Sequence, residues 1–456
     1  MFKIKTITLS LLALLLVMSF ASCASDTTSD SPLPSKDMKA YLQVKVTVEG
    51  SGDTRASRAD KEPQGGEDGN GREPGINKEN DVNSLTVLLY KSVKDDLSEA
   101  DATIDYVYTF TGLKSSSSTG GVTYTTGPRE IDAAIVGKNY HVIVIANAGD
   151  MTSSCKEKKI SEIRDMQMDK VCTRNADIAN FTDFVMSSKK DAKIDFSGKP
   201  GSGTGTESDP YMVDVNIERL AARIDIIPNA TYVDTDKGYY YNVMDGTNVI
   251  GGFKLESVTP TKVMTSGEYL IKRVSSDAAV STVTYYGEEE MNPTTKASTN
   301  YVVCPWTKDR TGLTLSNAEG PTSLYNVKET TSTSTAVKEA SYILDYVMEN
   351  TTTDNAEANS TGLVFKGKYY ELSDWDTANK QPKAGKSGTD KYYTYTIRHS
   401  DPTGAGSKTD PMYYGIVRNN IYRVRIDGIT GKGPDGMKVT LHVRKWATYT
   451  HDETTM

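Results

Sequence analysis

Residues 40–58 read A-Y-L-Q-V-K-V-T-V-E-G-S-G-D-T-R-A-S-R, and the interpretation of the whole chain depends on this stretch. Its first half alternates between aliphatic and polar side chains. The aliphatic residues are Leu42, Val44, Val46 and Val48. A period of two is typical of a strand with one buried face. Residues 50–58 are small and polar, include Arg55 and Arg58, and form the kind of segment that proteases cut. The sequence predicts a core strand on a cleavable tether.

The first 22 residues have the features of an export signal. Two lysines precede an apolar run over residues 7–20, which is short for a membrane-spanning helix. The run ends in F-A-S-C at residues 20–23, which resembles the bacterial lipobox except that Leu is usual where Phe20 stands. We expect cleavage before Cys23 and lipidation of its thiol. The alternative is an ordinary secretory signal followed by a chance cysteine.

Composition restricts the class of protein. A chain of 456 residues suits two or three domains. The net charge of -8 argues against nucleic acid as a partner. Tyrosine is abundant, with 27 residues against 8 phenylalanines, which favours strands over helical bundles.

From residue 81 onward the pattern is one of short strands separated by turn signals. Strands are predicted at 82–90, 103–110, 139–147, 212–217, 222–227, 253–258, 281–286, 301–305, 362–372, 392–398 and 416–429. The period changes at 160–168 and 181–186, which predicts two short helices, and residues 61–80 are typical of a linker. We therefore predict a mainly β chain of two antiparallel β-sandwich domains with short helical inserts. The predicted boundaries are 1–22 signal peptide, 23–55 propeptide, 56–217 amino-terminal domain and 218–456 carboxy-terminal domain.

No residue pattern typical of catalysis or metal binding is present. The four histidines lack metal-ligand spacing, and there is no G-x-S-x-G or H-E-x-x-H motif. The Asp68-Gly69-Asn70 triplet lacks the other ligands of a calcium loop, and the glycines of residues 199–209 lack the ending of a phosphate loop. We expect no enzyme activity, cofactor or metal. Cys155 and Cys172 either pair, leaving Cys304 single, or all three are buried thiols.

The end of the chain contains a second strand of the same chemistry. Residues 437–446 read M-K-V-T-L-H-V-R-K-W. The aliphatic positions are Met437, Val439, Leu441 and Val443. The K-V-T-L of residues 438–441 matches the K-V-T-V of residues 45–48, so the two strands are suited to the same groove. Trp446 is out of phase with the aliphatic positions, which predicts a bulge or a strand end near Arg444.

Four motifs resemble the fimbrillins of the Bacteroidales type V pili, and among them the Mfa-like major subunit of the short (minor) fimbria. They are the lipobox at Cys23, T-R-A around Arg55, I-E-R-L-A-A-R at 217–223, and V-R-N-N-I-Y at 417–422 followed by V-T-L-x-V-x-x-W at 439–446. The resemblance covers both ends of the chain and the predicted domain join. The middle of each domain differs in length and loops.

The resemblance implies transthyretin-like sandwiches and a precursor exported as an outer-membrane lipoprotein. An Arg-specific protease is expected to cut after Arg55, which fits the family motif better, or after Arg58. The first strand then leaves, and the groove accepts the last strand of an identical subunit, head to tail. The implied donor residues are Val439, Leu441, Val443 and Trp446. Anchor and tip subunits, and host or bacterial surface ligands, are the other implied partners of a fibre that supports adhesion and biofilm.

Other interpretations stay open at this point. The first strand could be permanent and the two arginines mere surface charges. The chain could also be a monomeric surface lipoprotein that binds glycan or a host protein, or an anchor or tip subunit. A tip subunit should have an altered tether or tail, and here both look intact. Arg418 is predicted to pair with a nearby carboxylate rather than to bind a ligand.

Overall fold

The computed structural model describes part of the chain, and the structural statements below refer to that part. It consists of residues 39–48, 72–74, 77–91, 102–118, 121–173, 181–188, 191–197, 203–233, 238–264, 268–271, 274–276, 283–285, 342–350, 360–398 and 415–447. Cys23, Arg55, Arg58, Cys304 and the predicted strand 301–305 lie outside these residues. None of the described helices is long and apolar enough to cross a membrane.

The fold is mainly β, as predicted, with few and short helices. The strands of the first half are β1 (Ala40–Val48), β2 (Arg72–Pro74), β3 (Ser84–Tyr90), β4 (Ile104–Thr111), β5 (Lys114–Ser118), β6 (Gly121–Thr125), β7 (Arg129–Ile131), β8 (Asn139–Ala146), β9 (Gln167–Met168), β10 (Met186–Ser188), β11 (Ala192–Asp195) and β12 (Tyr211–Arg219). The helices are α1 (Thr152–Cys155) and α2 (Ile160–Arg164), with 3-10 turns at Asn77–Asn80, Ala133–Ile135 and Leu372–Asp374.

The strands of the second half are β13 (Ala222–Ile227), β14 (Thr231–Val233), β15 (Gly238–Asp245), β16 (Asn248–Thr261), β17 (Glu268–Tyr269), β18 (Val274–Ser276), β19 (Val283–Tyr285), β20 (Tyr342–Val347), β21 (Gly362–Glu371), β22 (Trp375–Asp376), β23 (Gln381–Pro382), β24 (Thr389–Thr396), β25 (Asn420–Thr430) and β26 (Met437–Ala447).

Two ten-stranded sheets contain most of these strands, and the others form the two-stranded pairs β9 with β17, β18 with β19, and β22 with β23. The amino-terminal sheet has the order β4-β3-β8-β10-β12-β1-β6-β5, with β11 paired to β8 and β7 paired to β1. The carboxy-terminal sheet has the order β2-β26-β25-β15-β16-β21-β24, with β13 paired to both β20 and β25 and β14 paired to β15. Each sheet has its own large hydrophobic core. The antiparallel-rich sheets and few helices are consistent with the predicted β-sandwich class.

Apart from β2, which belongs to the carboxy-terminal sheet, the chain changes from one sheet to the other between β12 and β13. Only Leu220 and Ala221 separate the two strands, and both are fully buried. The predicted domain boundary at residue 217 falls inside β12, two residues before its end. The exact division into domains stays a prediction.

Two local predictions were wrong. Residues 181–186 are not helical, because Met186 begins β10, which forms ladders with β8 and β12. A short apolar run does not distinguish a buried strand from a helix by period alone. Residues 72–80 are not wholly a linker either. They contribute β2 and a 3-10 turn in which Glu79 and Asn80 are buried.

Candidate functional site

Strand β1 fills an apolar groove in the amino-terminal sheet. Leu42, Val44, Val46 and Val48 each have no exposed surface. The strand runs parallel to β12, with Leu42 opposite Tyr211 and Val48 opposite Ile217. Burial of an aliphatic side chain of this size contributes about 1.5–3 kcal/mol. The predicted removable strand is therefore a full member of the core.

The other wall of the groove consists of β6 and β7. Both run antiparallel to β1, with Lys45 opposite Thr125 and Leu42 opposite Arg129. Among the described strands β7 pairs only with β1, and β6 pairs only with β1 and β5. Strand β1 is therefore internal, and its departure would leave unpaired backbone groups on both sides of the vacated position.

Polar contacts fix the direction of β1 in the groove. The Val44 amide donates to Thr126 Oγ1 (3.0 Å), and the Thr126 amide donates to the Val44 carbonyl (3.0 Å). Gln43 Nε2 donates to the Thr126 carbonyl at 2.6 Å. On the solvent side, Lys45 Nζ lies 3.5 Å from a carboxylate oxygen of Asp214. The two Val44 contacts depend on the order of N–H and C=O groups along the strand, so they favour a strand that runs in this one direction.

The loop before β12 closes the amino-terminal end of the groove. The Tyr41 amide donates to the carbonyl of Gly205 at 2.9 Å. Gly205 has a φ of +82°, and a Cβ there would lie 2.4 Å from the ring of Tyr211. A side chain is excluded both by the left-handed backbone and by the lack of space. The glycines of residues 203–205 thus serve this close approach.

Strand β26, the predicted donor, is paired in its own molecule. It runs antiparallel to β25 from Met437, opposite Ile429, to Lys445, opposite Asn420. Its outer edge meets β2 only at residues 445–447 among the described pairings. Val439 and Leu441 are half-buried and pack against the carboxy-terminal core, whereas Val443 is 1% exposed. The predicted donor residues are thus paired and packed within their own molecule.

Trp446 lies on the opposite side of the sheet from Val443. Val443 belongs to the carboxy-terminal core, whereas Trp446 is fully buried in the amino-terminal core. Of the bulge or strand end predicted near Arg444, the bulge was wrong, because the pairing with β25 is regular there and its irregularity lies at Gly428. The strand continues to Ala447, three residues beyond Arg444. Neighbouring positions of a strand face opposite sides, so a residue three positions from Val443 needs no bulge to reach the other core.

Trp446 is part of a buried polar cluster around Glu79. Its indole Nε1 donates to Glu79 Oε2 at 3.1 Å. Arg223 Nη1 donates to Glu79 Oε1 at 3.1 Å, and the Tyr346 hydroxyl donates to the same oxygen. Rings of Phe184 and Tyr346 pack against the indole, the latter stacked at 5.9 Å between centroids. Glu79, Arg223, Tyr346 and Trp446 have no exposed surface.

Two arginines of the I-E-R-L-A-A-R motif complete this cluster. Arg219 Nε donates to the Glu79 carbonyl at 2.8 Å, and the guanidinium carbon lies 4.7 Å from the centre of the Trp446 ring. Burial lowers the pKa of Arg219 to about 10. Arg223 also donates to Asp225 through Nε and Nη2, both at 2.9 Å. The sequence did not predict this role, although arginines in an apolar run indicate buried, paired charges.

Arg418 has the role predicted for it. Its Nε donates to Glu349 Oε2 at 3.0 Å, and its Nη2 lies 2.7 Å from Glu268 Oε1. Although burial opposes ionisation, these carboxylates raise the pKa of Arg418 above its ordinary value. The residue is a buried structural partner of carboxylates.

The cysteines and the possible metal ligands add no chemistry to this site. Cys155 and Cys172 are buried and not disulfide-bonded, so their pairing is wrong and the thiol alternative holds for these two. Burial raises the pKa of Cys155 to about 11. Among the described residues no group of three His, Cys, Asp or Glu side chains is arranged to hold a metal ion.

Two family models match the chain. The model of the major fimbrial subunit protein (FimA) matches residues 40–219, and that of the major fimbrial subunit protein type IV, fimbrillin, C-terminal, matches residues 387–444. Together they cover just over half of the 456 residues. The first match begins with β1 and ends with β12, and the second includes β24 and β25 and most of β26.

These matches define the chain as a structural subunit of cell-surface fimbriae that assembles with other fimbrial subunits. It belongs to the Bacteroidales fimbrillin family. That the chain is most similar, within this family, to the major subunit of the short fimbria stays a prediction.

Solved structures also match the chain, at low sequence identity and with TM-scores below 0.5. A proposed cell adhesion protein of Parabacteroides distasonis is 16% identical, with 90% of this chain and 98% of that chain covered and a TM-score of 0.48. A fimbrilin of Porphyromonas gingivalis W83 is 15% identical, with 90% and 99% covered and a TM-score of 0.40. The carboxy-terminally truncated tip fimbrial protein Mfa3 of Porphyromonas gingivalis is 13% identical, with 90% and 100% covered and a TM-score of 0.39. No curated protein sequence matches the chain.

Proposed function

We propose that this fimbrillin is a stalk subunit that polymerises by exchange of β1 for β26 of a neighbouring copy. The precursor is exported as a lipoprotein through Cys23 and reaches the outer membrane. An Arg-specific protease cuts after Arg55 or Arg58, and β1 departs with the propeptide. The fibre that results supports adhesion and biofilm and has anchor and tip subunits at its ends.

The observation that carries this proposal is the position of β1. It is an internal strand with four fully buried aliphatic side chains, yet residues 49–71, with Arg55 and Arg58, separate it from β2. A core strand joined in this way is lost completely when the tether is cut and the strand dissociates. The groove that remains pairs readily with an extended strand of similar pattern.

Before the cut, the tether keeps β1 at a high effective concentration near the groove and so prevents early exchange. After the cut, the contact between two copies is head to tail and does not close on itself, so it produces a filament. Release of the donor strand costs free energy, because the buried side chains of Val443 and Trp446 must leave the cores of their own molecule.

Mass spectrometry of the mature amino terminus tests the proposal. Precursor treated with an Arg-specific protease should lose its first 55 or 58 residues, remain folded and form ladders on unboiled gels. Variants Arg55→Lys and Arg58→Lys, alone and together, should identify the site and, when combined, prevent assembly. Fibres in which every subunit retains residues 40–48 would contradict the proposal.

One observation is equally compatible with a second candidate function. The complete burial of Trp446 within its own chain is what a monomeric, surface-anchored adhesin or a terminal subunit would also show. In that case the cut protein stays monomeric although its first strand is gone. The same gel separates the two functions.

A further inference from the structure

We infer that two described parts of the segment behind the tether, β2 (Arg72–Pro74) and the 3-10 turn Asn77–Asn80, form a latch that holds β26 in its own molecule. The inference rests on the proposed strand exchange and adds a second regulatory step to it. Cutting the tether opens the groove, but the donor strand becomes available only when residues 72–80 release its carboxy-terminal end.

The latch holds β26 by its backbone and by its last large side chain. Strand β2 runs parallel to the end of β26, with Arg72 opposite Lys445 and Pro74 opposite Ala447. A few residues later, the Glu79 carboxylate accepts the indole N–H of Trp446. Both contacts come from residues that are close together in the sequence.

The latch is itself fixed to both halves of the molecule. Arg219, at the end of β12, donates to the Glu79 carbonyl and also, at 3.0 Å, to Asn419 Oδ1, next to the start of β25. Arg223 of β13 binds the Glu79 carboxylate from the other side. Removal of one partner from such a buried, charged network leaves the others unpaired, which makes opening cooperative and slow.

The position of the latch along the chain explains why it regulates assembly separately from the proteolytic cut. Residues 72–80 lie after both candidate cleavage sites, so they stay with the mature protein. The part of β26 nearer to its start lacks this support, because Val439 and Leu441 are only half-buried and β2 does not reach them. We therefore expect β26 to open from Met437 toward Trp446, with the latch as the last and rate-limiting contact.

The test compares two buried tryptophans. Trp446→Phe removes the N–H donor to Glu79 and keeps an aromatic ring in the core. Trp375→Phe is the matched control, because Trp375 is also buried and donates its Nε1 to Asn242 at 2.7 Å, in an aromatic cluster away from β26. Glu79→Gln is a milder second variant that retains a carbonyl acceptor but loses the charge.

Two rates are measured. The first is the hydrogen-exchange rate of the backbone amides of residues 437–447 in the uncut monomer, and the second is the rate of ladder formation after treatment with the Arg-specific protease. For Trp446→Phe we expect both to rise about tenfold or more, since a buried hydrogen bond to a charged group is lost. Glu79→Gln should act in the same direction, and Trp375→Phe should leave both rates unchanged. The inference is overturned if exchange in β26 rises no more in Trp446→Phe than in the control, or if ladders form more slowly. Faster exchange without ladders in any form supports the latch and contradicts the proposed polymerisation.

Discussion

Buried tyrosines link the stability of this fimbrillin to alkaline pH. Burial raises the pKa of Tyr108 and of Tyr393 to about 12, and it also raises the pKa of Tyr140, Tyr241 and Tyr346 above the ordinary value. In the unfolded chain these phenols ionise near pH 10. The unfolded state therefore binds fewer protons than the folded state above about pH 10, so stability present below that pH is lost as the pH rises toward 12. Urea unfolding at a series of pH values checks this, and a constant midpoint up to about pH 12 would contradict it.

Leu42 should contribute to the folding stability of the precursor and not to that of the cut protein. Leu42→Ala removes a fully buried side chain from the groove, so we expect the free energy of unfolding of the precursor to fall by about 2–5 kcal/mol. Thr47→Ala, on the other face of β1, is the control and should cost much less. After cleavage and loss of β1, wild type and both variants should unfold alike. A difference that persists in the purified cut protein would mean that β1 does not leave.

At the scale of the element, a disulfide can hold β1 in place after the cut. Lys45 of β1 and Thr125 of β6 are directly opposite in an antiparallel pair, a geometry within reach of a disulfide. Lys45→Cys with Thr125→Cys should yield cut protein that stays monomeric when oxidised and forms ladders after reduction. Each single variant is a control and should form ladders in both conditions. Ladders in the oxidised double variant would exclude the groove as the acceptor.

The register of the incoming strand is also predicted. With Met437 in the place of Leu42, the four aliphatic residues of β26 occupy all four apolar positions, and Thr440 replaces Lys45 beside Asp214. The alignment that places Lys438 at Lys45 instead buries Asp435 at the position of Leu42, which is costly. A mixture of Asp214→Cys and Thr440→Cys proteins should therefore cross-link during assembly, and a mixture of Asp214→Cys and Lys438→Cys proteins should not. The reverse result would assign the second register.

What the sequence predicts well are elements whose pattern is local. Strand β1 and later strands such as β4, β12 and β26 follow from alternation, because apolar and polar side chains take turns along a half-buried strand. The helix predicted at 181–186 was wrong, and the linker predicted at 61–80 was wrong for residues 72–74 and 77–80, both for a different reason. Met186 and Glu79 obtain their conformation from partners far away in the chain, such as Ala146 and Trp446, and no local pattern records such partners.

On the scale of the whole molecule, the two cores should unfold together. Trp446 joins the last strand of the carboxy-terminal sheet to the amino-terminal core, and Glu79 and Arg219 bind both halves. We expect a single calorimetric transition of the uncut protein with equal calorimetric and van't Hoff enthalpies. Two separate transitions would show that the junction does not couple the halves.

The short link between β12 and β13 determines how a fibre built as proposed would bear tension. A neighbour's strand seated beside β12 is pulled along its own axis, so its ladder of hydrogen bonds is loaded in shear, all at once. The force passes across Leu220 and Ala221 into β13, and from there into its parallel neighbour β25. Because this path runs through paired strands and avoids long loops, resistance to stretching is set by the rate at which whole strands slide apart.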